Sequence, residues 1–309
     1  MKKITFVSPT FNEVANIDEL YRRVSAVWLL YPQYEFEYLI IDNASTDGTE
    51  SKLRKIAQED SRVKVILNTR NFGHIRSPYW GLIQAQGDAI IYLASDLQDP
   101  PEMTGQFIED WELGWKLVLA VKPISQENKI MNLCRKAYYR ALNSISEVPL
   151  ANDTTGFGLY DKDILKIIQK IGDPYPYLRG LVCELGFPMK LVPFNQPRRE
   201  RGISKNNLYS LLDIGALGVI SHSMVPLRFA TFIGSIVGVI SFMTGIIYLI
   251  AKIIFWEKFA FGLAPVIIGI FLMFGLIFLF IGILGEYIGS IHRRIQNRPI
   301  VVESERINF

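Results

Sequence analysis

The sequence predicts an α/β protein in which a mostly parallel sheet, covered on both faces, is followed by an amphipathic juxtamembrane helix and a two-helix transmembrane hairpin. Three observations carry this. Short apolar runs alternate with helical periodicity through the N-terminal part of the chain, the pattern of βαβ units. A polar cluster follows each strand-like run. Finally, two long stretches near the C-terminus carry no formal charge.

The first strand covers Ile4–Ser8. The opening residues MKKITFVSPTFNE hold too short an apolar run for a signal peptide, so the domain is expected to stay in the cytoplasm. A helix over Asn16–Tyr31 follows, then a strand over Glu37–Asp42, a helix over Thr49–Glu59 and a strand over Val63–Asn68. A helix over Ile75–Gln86 and a strand over Ala89–Ala94 complete the alternation. The polar clusters are Pro9–Glu13, Asp42–Thr49, Arg70–His74 and Asp96–Glu102. In open α/β sheets ligands bind beyond the carboxyl ends of the strands, where these clusters fall.

The uncharged stretches, about 229–251 and 263–284, each exceed the roughly 20 residues that cross a bilayer as a helix. The loop between them is too short for a domain, so both ends of the hairpin are expected on one side. Arg228 before it and Arg293, Arg294 and Arg298 after it mark that side as cytoplasmic. Residues 205–227 read as an amphipathic helix at the interface, with packing on the first domain as the alternative. The expected organisation is thus 1–204, 205–227, 228–286 and a cytosolic tail over 287–309. The Gly234/Gly238 and Gly285/Gly289 pairs have GxxxG spacing, a weak signal for close helix approach.

Composition and motifs exclude much else. With 309 residues, 33 Lys plus Arg and 30 Asp plus Glu, the net charge is +3, too small for a nucleic-acid binder. Mean hydropathy is +0.20, high for a soluble enzyme. Cys134 and Cys183 are far apart and form no zinc pattern. There is no GxGxxG after the first strand, no P-loop and no GxSxG elbow. What remains is a set of acids and amides suited to a nucleoside and a divalent cation, Mg²⁺ or Mn²⁺.

The segments VSPTFNEVANI, IDNASTDGT, RNFGHIRSPYWGLIQAQGD and SDLQDPPE, in that order, resemble the family-2 glycosyltransferases of GT-A fold. More narrowly they resemble polyisoprenyl-phosphate glycosyltransferases of the bactoprenol glucosyltransferase and dolichol-phosphate mannose synthase kind. The likeness runs through RRERGISK and the hairpin, over nearly the whole chain. It implies a Rossmann-like catalytic domain whose nucleotide lies against Pro9, Asn12, Glu13 and Asp42, with Asp47 supporting that loop. It also implies Arg70, Asn71 and Gly73 beside the nucleotide sugar, and Asp96 with Gln98 on the metal ion. Asp96 is then a catalytic residue, and Asp153 a candidate local base. Arg199, Arg201, Ser204 and Lys205 match the acceptor loop, where guanidinium forks and an ammonium suit phosphate oxygens. A basic patch drawn to anionic lipid is the alternative for that cluster.

Two positions depart from the family pattern. Ala94 replaces the first acid of the metal-binding DxD, and Gly156 stands where many relatives carry an acid before Phe157. A phosphate acceptor is already largely ionised at neutral pH, so positioning matters more than deprotonation. The resemblance implies inverting transfer of a hexose, glucose from UDP-glucose, to undecaprenyl phosphate at the bacterial inner membrane. The product would serve cell-envelope glycan modification such as that of O-antigen, and the resemblance suggests a homo-oligomer, with a tetramer as the candidate form. The competing readings are a catalytically weakened nucleotide-sugar-binding membrane protein and a processive polysaccharide synthase, the latter disfavoured by the missing QxxRW motif.

Overall fold

The computed structural model describes residues 1–122, 154–197, 223, 225–254, 263–296 and 298–309. Two compact units form, Met1–Gly218 with Asn297–Phe309, and Val219–Gln296.

The first unit opens with β1 (Lys3–Thr10), α1 (Ile17–Leu30), β2 (Glu35–Asp42), α2 (Thr49–Glu59), β3 (Val63–Asn68), α3 (Gly73–Gln84) and β4 (Ala89–Tyr92). After a short 3₁₀ turn come α4 (Thr104–Glu112), β5 (Leu117–Val121), β6 (Thr154–Asp161), α5 (Lys162–Ile171), α6 (Leu178–Glu184) and β7 (Met189–Pro193). The first seven elements match the expected order and type, with ends displaced by up to two residues. β8 (Glu303–Ile307) comes from the C-terminal tail.

All eight described strands form one sheet in the order β7-β5-β6-β4-β1-β2-β3-β8. Its centre is parallel: β1 pairs with β2 and β4, and β2 with β3. β6 runs antiparallel to β4 and β5, β7 parallel to β5, and β8 antiparallel to β3. Central strands are apolar nearly throughout because helices cover both faces. β2, EFEYLIID, shows how its side chains divide by the two-residue period of a strand. Tyr38 and Ile40 enter one core with Phe6, Trp28 and Leu53. Leu39 and Ile41 enter the other with Val7, Tyr79 and Leu82.

Helix ends follow local chemistry. Asp161 caps α5 by accepting the Asp163 N–H at 2.9 Å, and Gly172, at φ +60°, ends the helix in the left-handed conformation. α1 turns Ile17, Leu20, Val24, Val27 and Trp28 inward at helical spacing.

The second unit holds α7 (Val225–Ile254) and α8 (Leu263–Ile295). Their 30 and 33 residues correspond to roughly 45–50 Å of helix, longer than a hydrocarbon core. Large apolar side chains stand exposed along both, including Phe232, Val239, Ile247, Phe278 and Ile288. Among the described residues, Met273–His292 is long and apolar enough to cross a membrane, and Val225–Ile240 is a shorter apolar segment. At Gly234 a Cβ would lie 3.6 Å from the Phe280 ring, so this glycine belongs to the contact between α7 and α8. Most of the expected amphipathic helix, Asp153 and the acceptor-loop residues Arg199, Arg201, Ser204 and Lys205 lie outside the described residues.

Candidate active site at the carboxyl edge of the sheet

β3, β2, β1 and β4 lie side by side and parallel, so the loops that follow them share one edge. Three intervals between neighbouring strands place the outer two loops roughly 14 Å apart. The antiparallel partners bring further residues to this edge. Gly158 pairs with Tyr92, which places Gly156 beyond the end of β4, level with the Ala94–Asp96 loop.

The β1 and β2 loops are tied together. Ser45 Oγ accepts the Asn12 N–H at 2.8 Å, Asn12 Oδ1 accepts the Thr46 N–H at 2.8 Å, and Thr49 Oγ1 accepts the Glu13 N–H at 3.0 Å. Asp42 is buried at the end of β2 and accepts from both the N–H and the hydroxyl of Ser45, at 2.9 and 2.5 Å. Burial raises its pKa, with the Ser45 bonds opposing the shift. Asp47 accepts the Val14 N–H at 3.1 Å through one oxygen, and the Thr49 N–H and hydroxyl through the other. These bonds tie the β1 loop to the start of α2.

A second network joins the β2 and β3 loops around the buried Asn43. Its Oδ1 accepts the Phe72 N–H at 2.8 Å, and its Nδ2 donates to Asn71 Oδ1 at 2.9 Å. Asn71 Oδ1 also accepts the Gly73 N–H at 2.7 Å. Asn71 and Gly73 are thus held by the strand-end asparagine, while Arg70 lies exposed over the Phe72 ring. Turn chemistry accounts for Asn43 locally, but only the fold reveals it as the hub of this loop.

The β4 loop carries Asp96, half-buried, whose Oδ1 accepts the Gln98 N–H at 3.1 Å. The loop is pinned to β1 by the Ser95 hydroxyl, which donates to the Pro9 carbonyl at 2.8 Å. Asp99 is buried and accepts the Ala94 N–H at 2.9 Å. Burial pushes its carboxyl up to about 7 despite that bond, and the charge of Asp96 adds to the shift. Asn12, Ala44 and Leu97 adopt φ of +56°, +61° and +61°. Such left-handed residues other than glycine collect where loops are shaped for function, and here one stands in each of the β1, β2 and β4 loops.

The oxygen-only donors Asp96 and Gln98 fit Mg²⁺ or Mn²⁺. Among the described residues no three His, Cys, Asp or Glu side chains gather as a closed cage. An open, carboxylate-poor set of this kind suits an ion that takes its remaining ligands from water and substrate phosphates.

Beside this loop lies a cavity of about 160 Å³ lined by His74, Tyr92, Gly156, Tyr177 and Arg179 among others. Tyr92 has its phenol pKa raised by burial and by the nearby Asp99. Tyr92, Tyr177 and Arg179 fall in no motif and reach the site only through the tertiary fold. A larger groove, about 1070 Å³, is lined by Met1, Glu35 and Arg62 at the opposite, amino-terminal edge. The carboxyl-edge cavity is the one adjacent to the acids and amides.

The described chain before the basic segment, and on either side of the stretch that holds Asp153, also approaches this edge. Gln98 Nε2 donates to the Pro197 carbonyl at 3.3 Å, two residues before Arg199. Thr154, which follows Asp153, pairs with Val121 at the end of β5.

The glycosyl transferase family 2 model matches residues 5–168. The SfII prophage-derived bactoprenol glucosyl transferase of Shigella flexneri is 33% identical over 99% of both chains. A prophage bactoprenol glucosyl transferase homolog of Escherichia coli is 32% identical over 96% of this chain and 97% of that one. An uncharacterized glycosyltransferase of Bacillus subtilis is 31% identical over 96% and 92%.

Proposed function

From the premise that this chain belongs to glycosyl transferase family 2 and is a glycosyltransferase, we propose that it transfers glucose from UDP-glucose to a polyprenyl phosphate, undecaprenyl phosphate, with inversion at the anomeric carbon. Full-length similarity to bactoprenol glucosyl transferases supports that acceptor class, because it extends through the apolar helices as well as the catalytic sheet.

The observation that carries the reading is the continuous edge formed by the loops after β1, β2, β3 and β4. In it Asp42 and the Asn12–Glu13 turn receive the nucleoside, and Arg70 and Asn71 flank the diphosphate and sugar. Asp96 and Gln98 would hold the divalent ion. When bound, that ion supplies Lewis-acid stabilisation of the departing nucleoside diphosphate. Arg199, Arg201, Ser204 and Lys205 follow Pro197 in sequence, and Pro197 lies against Gln98. This supports their role in presenting the acceptor phosphate to the anomeric carbon. The acceptor oxygen forms the new glycosidic bond as the bond to the diphosphate breaks, with no covalent enzyme intermediate. Asp153 acts as a local base only where the acceptor still carries a proton.

We also propose that α7 and α8 cross the bilayer as a hairpin with both ends cytoplasmic. The support is topological. The sheet takes strands from before and after these helices, which supports an even number of crossings.

Replacing Asp96 with Asn tests the site. Turnover should fall by about two orders of magnitude or more, the scale expected when a group stabilising transition-state charge is lost. The thermal midpoint should stay unchanged. Near-normal turnover would remove Asp96 from the mechanism.

A further inference from the structure

The last residues of the chain do more than close a sheet edge. β8 pairs with β3 so that Glu303 stands opposite Asn68. Residues 299–302 therefore stand where the Thr69–Gly73 loop begins, and three sets of contacts join the two segments. The Val302 carbonyl accepts both the N–H and the hydroxyl of Thr69, at 2.9 and 3.1 Å. The Pro299 carbonyl accepts from Arg76 Nη2 at 2.6 Å. The Glu303 carboxylate accepts the Trp80 indole N–H and pairs with Arg306, which donates onward to Gln84 at 2.8 Å. Arg76, Trp80 and Gln84 recur every four residues and share one face of α3. The tail thus grips that face along the helix.

The loop it grips is electrostatically crowded. The guanidinium carbons of Arg70 and Arg76 lie 4.0 and 5.1 Å from the centroid of the buried Phe72 ring. Arg76 has its pKa lowered by burial first, then by Arg70 and Arg298. Two cations sharing one ring face mutual repulsion, and the Pro299 carbonyl counters it at Arg76.

We infer that the segment Pro299–Glu303 is a positioning element for donor binding: by holding Thr69 and the Arg76–Trp80 face of α3, it fixes the loop that presents Arg70 and Asn71 to the nucleotide sugar. The inference rests on the donor role proposed above for that loop.

The test uses the full-length protein in detergent, with UDP binding measured by calorimetry and turnover measured against UDP-glucose and undecaprenyl phosphate separately. Arg76→Ala is expected to raise the UDP Kd and donor KM about tenfold, and Trp80→Phe about threefold. Both should leave kcat and the acceptor KM unchanged. Arg76→Lys, which still reaches the carbonyl, should recover most of the loss. Trp80→Phe changes no charge, so its effect cannot be a general loss of positive potential, and it carries the test should Arg76→Ala fail to fold. Arg70→Ala is the control for the donor role of the loop. If Arg70→Ala weakens UDP binding while Arg76→Ala and Trp80→Phe leave it within about twofold of wild type, the positioning role is overturned and the donor reading stands. If Arg70→Ala has no effect on the donor, the donor reading fails and the positioning role fails with it.

Discussion

Two glycines two residues apart, Gly156 and Gly158, are required for different reasons. Gly156 has φ +91°, and a Cβ there would meet only the Tyr92 ring at 3.9 Å. Its requirement is conformational. At Gly158 a Cβ would sit 2.2 Å from the Val118 carbonyl, so β6 can lie against β5 only without a side chain at this position. Gly156→Ala should therefore cost about 1–2 kcal/mol from left-handed strain alone. Gly158→Ala should cost more, about 3 kcal/mol or above, because backbone must move. Denaturant midpoints of the two variants check the ordering, and equal losses would contradict it. At this scale the sequence was informative about residue type and weak about partners. Asp47 is legible as an Asx residue of a turn, but not the partners of its two oxygens, which accept from backbone N–H groups of Val14 and Thr49. Arg179 sits in a short helix with no motif around it, and only the packing of α6 brings it beside Gly156.

Among the elements, the parallel strands were legible because apolar runs bounded by Asx and Gly clusters admit few other readings. β8 was not. Its sequence, ESERI, is charged at three of five positions and reads as exposed tail. A charged edge strand has that composition because one of its edges faces water. Its anchors are Arg54 onto Glu305 and Asn308 onto the Ala57 and Val63 carbonyls, all distant in sequence. The same masking affects β2, where Glu37 interrupts the apolar run. Burial disfavours its charge, but Lys3 and Lys64 on the flanking strands pair with it and hold its pKa below the usual carboxylate range. A depressed folded pKa stabilises the protein above the unfolded value of about 4.3 and ceases to do so as pH falls through the lower folded value. Glu37→Gln should accordingly cost about 1–2 kcal/mol at pH 7. The gap from wild type should close below about pH 4. Unfolding midpoints at pH 7 and in acid test this, and a gap independent of pH would contradict it.

At the scale of the whole molecule, the chain runs from the sheet into the apolar helices and then back into the sheet as β8. Pro197 contacts Gln98 before the chain departs, and Pro299 contacts Arg76 after it returns. The proposed acceptor is a long, water-insoluble lipid phosphate and the proposed donor is water-soluble, so the two substrates come from different solvents. Ala94 and Gly156 bear most directly on the central claim, because both remove acids that the family pattern places at this edge. The most direct test is formation of lipid-linked sugar by the purified protein with undecaprenyl phosphate, over a panel of labelled nucleotide sugars, with and without a chelator. The expected result is a product from UDP-glucose that is lost when the divalent ion is removed. No product from any donor, with the protein folded and binding UDP normally, would contradict it and leave a nucleotide-sugar-binding membrane protein in its place.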